Sequence, residues 1–91
     1  MITKEDMKVA QRKMLDFVTK HEGESVLFRT LPEEEKEAYV MTRTFIYFDF
    51  LPLAERYRRV IGNTEAHKAK DYEVYMENIN EHFVIPKREV C

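Results

Sequence analysis

The stretch TLPEEEKEAYVMTRTFIYFDFLPL, residues 30–53, decides how this chain folds. It opens as a helix. Proline suits the first helical turn, whose N–H groups lack partners in any case, so Pro32 marks a start. Glu33, Glu34, Glu35 and Glu37 follow, and negative charge is favourable at a helix N-terminus. From Tyr39 onward the composition is ambiguous: Val40, Thr42, Thr44, Phe45, Ile46, Tyr47 and Phe48 suit a strand as well as a helix. The start signal and the helical recurrence of Ala38, Met41, Phe45 and Phe48 favour a helix. Pro52 cannot donate to the Phe48 carbonyl, so the sequence predicts one long helix, kinked at Pro52 and continuing to Ile61.

Upstream, Thr3 is a natural N-cap with Asp6 at the capping-box position. Met7, Ala10, Met14, Phe17 and Val18 then form an apolar stripe at helical spacing. Arg12, Asp16 and Lys20 form a charge ladder on another face, and Gly23 stops the helix. Val26, Leu27 and Phe28 make either a short extended piece or a plug for the core. Downstream, Gly62 is expected to end the kinked helix and Asn63 or Thr64 to cap a last one. That last helix carries the stripe Ala69, Tyr72, Tyr75, Met76, Ile79 and Phe83, stops at Pro86, and leaves residues 84–91 as a loose tail.

The expected architecture is therefore all-α: a small bundle of about three to four helices in one domain spanning residues 1–91. With 91 residues, 44% of them apolar and 35% charged, the chain is long enough for one modest core. The net charge of -2 gives no global field for a phosphate backbone. The single cysteine, Cys91, rules out an internal disulfide framework and makes a cytoplasmic location the default. No apolar run is long enough to span a bilayer, so no membrane partner is expected.

Catalytic and metal chemistry find little footing. His67 with Asp71, and His21 with Glu22 and Glu24, are too sparse for a zinc site. Ser25 lacks the context of a nucleophile elbow, and Gly23 and Gly62 are too far apart for a phosphate loop. No catalytic residue, metal or cofactor is expected, and the chain reads as a non-enzyme.

Two clusters could bind. Phe45, Tyr47, Phe48 and Phe50, with Asp49 among them, are apolar around most of a helix. Such a run is either the central helix of a bundle or partly an interface. Asp49 should face water or pair, and Arg56 lies roughly on its face. Arg56, Tyr57, Arg58, Arg59, Lys68 and Lys70 form a basic stretch that could converge beside Gly62 and grip an anion. A helix-turn-helix at Gly62 is disfavoured, because Glu73, Glu77 and Glu81 would face the phosphates of duplex DNA.

The expected function is that of a small interaction protein binding a macromolecular partner through the aromatic run, and self-associating as a homo-oligomer. Inhibitors and adaptors among bacterial and phage accessory proteins are compact charged chains of this kind. The alternative is a binder of a small anionic ligand, such as a nucleotide or signalling molecule, or of RNA, through the basic stretch.

Overall fold

The computed structural model describes residues 2–70 and 82–87. Among the described residues three α-helices, α1 (Lys4–His21), α2 (Glu33–Tyr47) and α3 (Leu53–Lys68), are joined by short connections. Two three-residue strands, β1 (Ser25–Leu27) and β2 (His82–Val84), pair antiparallel with Val26 opposite Phe83. The fold is thus mainly helical, with a small sheet that helical periodicity does not foretell.

The first helix begins as its sequence directs. The Asp6 N–H donates to the Thr3 hydroxyl at 3.1 Å, and the Thr3 N–H donates back to the Asp6 carboxylate at 3.0 Å. The Thr3 backbone hydrogen bond, with the Thr3 side chain second, holds the Asp6 carboxyl below its ordinary range. At the far end Gly23 adopts φ +75, a conformation that a side chain disfavours. That bend lets the Gly23 N–H donate to the Ile85 carbonyl at 2.9 Å, while the Ile85 N–H donates to Glu24 at 2.9 Å. These two bonds carry the contact between the segments one residue past the strand pairing, to Ile85.

Helix α2 lies centrally and packs against both α1 and α3. Its burial runs almost all round: Tyr39, Val40, Met41, Thr42 and Thr44 are buried, as is the stem of Lys36. One core cluster joins Phe17, Val26, Phe28, Tyr39, Val40 and Ile85 under the sheet. Here Tyr39 meets Phe17 edge-on at 6.3 Å and Phe83 at 5.9 Å. The other cluster joins Ala10, Met14, Met41, Tyr57 and Val60 between the three helices. Helix α3 buries a clean stripe of Tyr57, Val60, Thr64 and His67: Tyr57 and Val60 join this cluster, and the His67 ring lies edge-on 6.0 Å from Phe28 of the first.

The expected kink at Pro52 is a complete break. Helix α2 ends at Tyr47, residues 48–50 turn, and Pro52 becomes the N-cap of α3. The α conformation is disfavoured immediately before a proline, and here the chain leaves it earlier and folds back. Gly62 does not end a helix either. It sits inside α3 with nothing within 4 Å of a would-be Cβ. Asn63 and Thr64, expected as caps, use their side chains elsewhere. Asn63 donates to the Thr44 hydroxyl at 3.1 Å, tying α3 to α2, and the Thr64 hydroxyl donates to the Val60 carbonyl at 2.8 Å. Phe83, expected on a helical stripe, lies in β2, and the tail expected to be loose from residue 84 is tied down through Ile85, which is fully buried. Tyr72, Tyr75, Met76 and Ile79 of the expected last helix, with Asp71, Glu73, Glu77, Glu81 and Cys91, lie outside the described residues.

Ion pairs stitch the helices along one side. Lys13 of α1 meets Glu37 of α2 at 2.8 Å, and Lys68 of α3 reaches the same carboxylate at 3.7 Å. Burial pushes the Glu37 carboxyl up, but the hydrogen bond and charge of Lys13, with Lys68, outweigh it and hold the group low. His21, closing α1, bridges Glu24 and Glu35, and Lys20 lies 3.2 Å from Glu35. The hydrogen bond to His21, aided by Lys20, holds Glu35 below the ordinary carboxylate range.

Two outcomes are expected from this frame. Gly23→Ala should lower stability by about 1–2 kcal/mol, the usual cost of the left-handed conformation for a residue with a Cβ. Gly62→Ala should raise it by up to about 1 kcal/mol, because it replaces a glycine inside a helix with open space beside it. Urea denaturation of both variants checks the opposite signs. Glu35, whose folded pKa is depressed, contributes stability that is fully present above its ordinary value of 4.5 and is lost as pH falls through the folded value. Glu35→Gln should therefore flatten the acid limb of stability against pH, as read by melts from neutral pH downward.

Candidate functional site

The break between α2 and α3 determines what becomes of the aromatic run. With α2 ended at Tyr47, residues 48–50 stand in a turn, and turns lie on the surface. Tyr47 and Phe50 are each 71% exposed and Leu53 is 57% exposed. The rings nevertheless pack on one another. Tyr47 meets Phe48 edge-on at 4.8 Å, and Phe48 lies 5.9 Å from Phe50. These three form a knuckle of aromatic surface at the end of the helix pair. Phe45 belongs to the core side: it is half-buried and lies 5.4 Å from the buried ring of Tyr57.

Two arginines of α3 brace the knuckle. At the end of α2 the Asp49 N–H donates to the Ile46 carbonyl at 3.3 Å rather than to that of Phe45. The Phe45 carbonyl is thereby left for the Nε–H of Arg56. Carbonyls at a helix end lack partners within the helix, and Arg56 supplies one from across the turn. Its guanidinium also lies 3.5 Å from the Phe45 ring centroid, and that of Arg59 lies 5.3 Å from the Phe48 ring centroid. Arg58 points instead to Glu55, at 3.0 Å. Asp49 is exposed, and among the described residues it makes no ion pair with Arg56.

The aromatic candidates are thus brought together, with Phe45 as their footing. The basic candidates are not. Tyr57 is buried in the core and offers no ring to a ligand. Because α3 runs straight through Gly62, Lys68 stands about 18 Å along the helix from Arg56. It leans on Glu37 instead. Lys70, at φ 63, follows the end of α3 and is equally remote from the arginines. Leu53 belongs to the surface and went unnoticed in the sequence. Its signal was the position just after Pro52, where a first-turn helical residue has no preceding turn to cover it.

Elsewhere the molecule offers less. A groove of about 250 Å³ between α1 and α2 is spanned by the pairs of Lys13 with Glu37 and Lys20 with Glu35. A hollow of about 370 Å³ is lined by Ile2, Met7, Ala54 and Arg58. Among the described residues no set of three or more His, Cys, Asp or Glu side chains is placed to hold a metal ion. No helix among them is long and apolar enough to cross a membrane.

Set against known protein families, curated proteins and solved structures, the chain matches none of them.

Proposed function

We propose that this chain is a non-enzymatic interaction protein that docks a protein partner on the turn between α2 and α3, in the manner of a small inhibitor or adaptor. The observation that carries this reading is the ring cluster of Tyr47, Phe48 and Phe50, which is ordered by its own contacts yet open to water. Aromatic and arginine side chains dominate the energetics of interfaces, and rigid aromatics lose little conformational entropy on binding. Contiguous exposed apolar surface on a soluble chain ordinarily marks such a contact.

Self-association through the same turn is the second reading for this surface. A binder of a small anionic ligand or of RNA through the basic stretch has less support, because Tyr57 is buried and the cations are spread along α3.

Phe50→Asp is the direct test. At a 71% exposed position the substitution should leave the thermal melt within about 0.5 kcal/mol of the parent, as surface changes usually do. It should abolish retention of the partner that the parent chain retains from its native host. A variant that unfolds would make Phe50 a core residue, and one that still retains the partner would move the interface elsewhere.

A further inference from the structure

His21 closes α1, and residues 22–24 carry the chain round into β1. Its ring is held from two sides. Nδ1 lies 3.0 Å from the Glu24 carboxylate, and Nε2 lies within hydrogen-bond distance of the Glu35 carboxylate on α2. The ring also packs on Phe17, with centroids 4.8 Å apart. An ionised carboxylate only accepts hydrogen bonds, so holding both requires both nitrogens to donate, and imidazole carries two N–H groups only when it is charged. The neutral ring has one N–H and would turn a lone pair on the other carboxylate. The two arms are unequal. The Glu35 side chain is 13% exposed and is also met by Lys20 at 3.2 Å, whereas that of Glu24 is 57% exposed. The remaining N–H therefore stays with Glu35, the carboxylate that water reaches least, and Glu24 turns to solvent.

The Glu24 backbone belongs to the anchorage of the sheet. Its carbonyl accepts the Ile85 N–H at 2.9 Å, next to the bond from the Gly23 N–H to the Ile85 carbonyl. Ile85 is fully buried in the cluster that includes Phe17, Val26 and Tyr39. We propose that His21 is a pH-sensitive clasp on this corner of the molecule. Charged, it ties the end of α1, the turn before β1 and the start of α2 together. Neutral, it releases the Glu24 side chain, and the bonds between residues 23–24 and Ile85 open more readily. Imidazole ordinarily titrates between about pH 5 and 8, so the clasp loosens as pH rises through that interval. The sense is opposite to that of Glu35, whose contribution is lost in acid, and the corner is held best between the two. Other charge borders the corner. Lys20 and Glu22 flank His21 in the chain, and the stem of Lys87 lies where a side chain on Gly23 would stand. A second imidazole, that of His82, lies exposed in β2 opposite Leu27.

The test uses the full chain labelled with nitrogen-15. Long-range proton–nitrogen correlation of the His21 ring should show both nitrogens protonated at about pH 5 and only Nε2 protonated at about pH 8. Amide exchange at Ile85, corrected for its intrinsic rate, should become about fivefold faster across the same interval, the upper end of what an exposed charge pair contributes. His21→Gln removes the titrating ring and should remove most of that dependence. Glu24→Gln should do the same, because its carboxamide can pair with either form of the ring. With its side chain 57% exposed, Glu24→Gln is also the variant that decides where His21→Gln fails to fold. An Ile85 rate that stays constant with pH in the parent would overturn the clasp. So would a dependence that survives in His21→Gln or, where that variant fails to fold, in Glu24→Gln, and it would pass the effect to His82 or another group. A neutral His21 ring protonated on Nδ1 would overturn the release of Glu24.

Discussion

A proline has no N–H to give to the carbonyl four residues back, and the residue before it is pushed out of the α region. At position 52 this constraint ends the helical path of residues 33–47, and the chain must fold back. The rest of the described helical core depends on that reversal. It lays α3 beside α2, which brings Tyr57 and Val60 onto Met41 and the face of α1 formed by Ala10 and Met14. It also strips cover from the end of the aromatic run. A helix that continued without interruption would have set Phe48 and Phe50 on nearly opposite sides of its axis. A turn turns them outward, where among the described residues their ring contacts are with each other, with Tyr47 and with the guanidinium of Arg59.

The reversal is held by a specific arrangement rather than by burial alone. Helix α2 ends with a carbonyl, that of Phe45, that its own helix does not satisfy. Arg56, a turn into α3, satisfies it and covers the same residue's ring. Hydrogen bonds to charged groups contribute about 1.5–3 kcal/mol, more than a neutral pair, and this one joins the two helices where they meet. Further along, Asn63 and Thr44 make a second cross-link. The knuckle is therefore mounted on a rigid pair of helices, and a binding surface on a rigid mount pays less entropy on complex formation.

Much of the helical frame was legible in the sequence, because its signals are local. The capping box of Thr3 and Asp6, the bend at Gly23 and the start after Pro32 each act within a few residues. Features set by distant partners were not legible. Gly62 carries the same local stop signal as Gly23, yet α3 passes through it, since Val60 and Thr64 on either side are buried against α2 and α1. The strand at His82–Val84 pairs with Ser25–Leu27, and Ile85 bonds to Gly23 and Glu24, from about two-thirds of the chain length away. Three-residue strands leave too short an alternation to read. For the site, the residue types were legible and their division was not: the same aromatic run supplies Phe45 to the core and Tyr47 and Phe50 to water, and only the place of the break separates them.

The central claim is that these rings stand in solvent on a folded chain. Solvent paramagnetic relaxation by a small soluble nitroxide tests it most directly, with the aromatic protons observed at low protein concentration. The account predicts strong broadening of the Tyr47 and Phe50 rings, with Phe28, Tyr39 and Tyr57 protected. Equal protection of all five rings would contradict it, and would make the aromatic run part of the core or of a contact between copies.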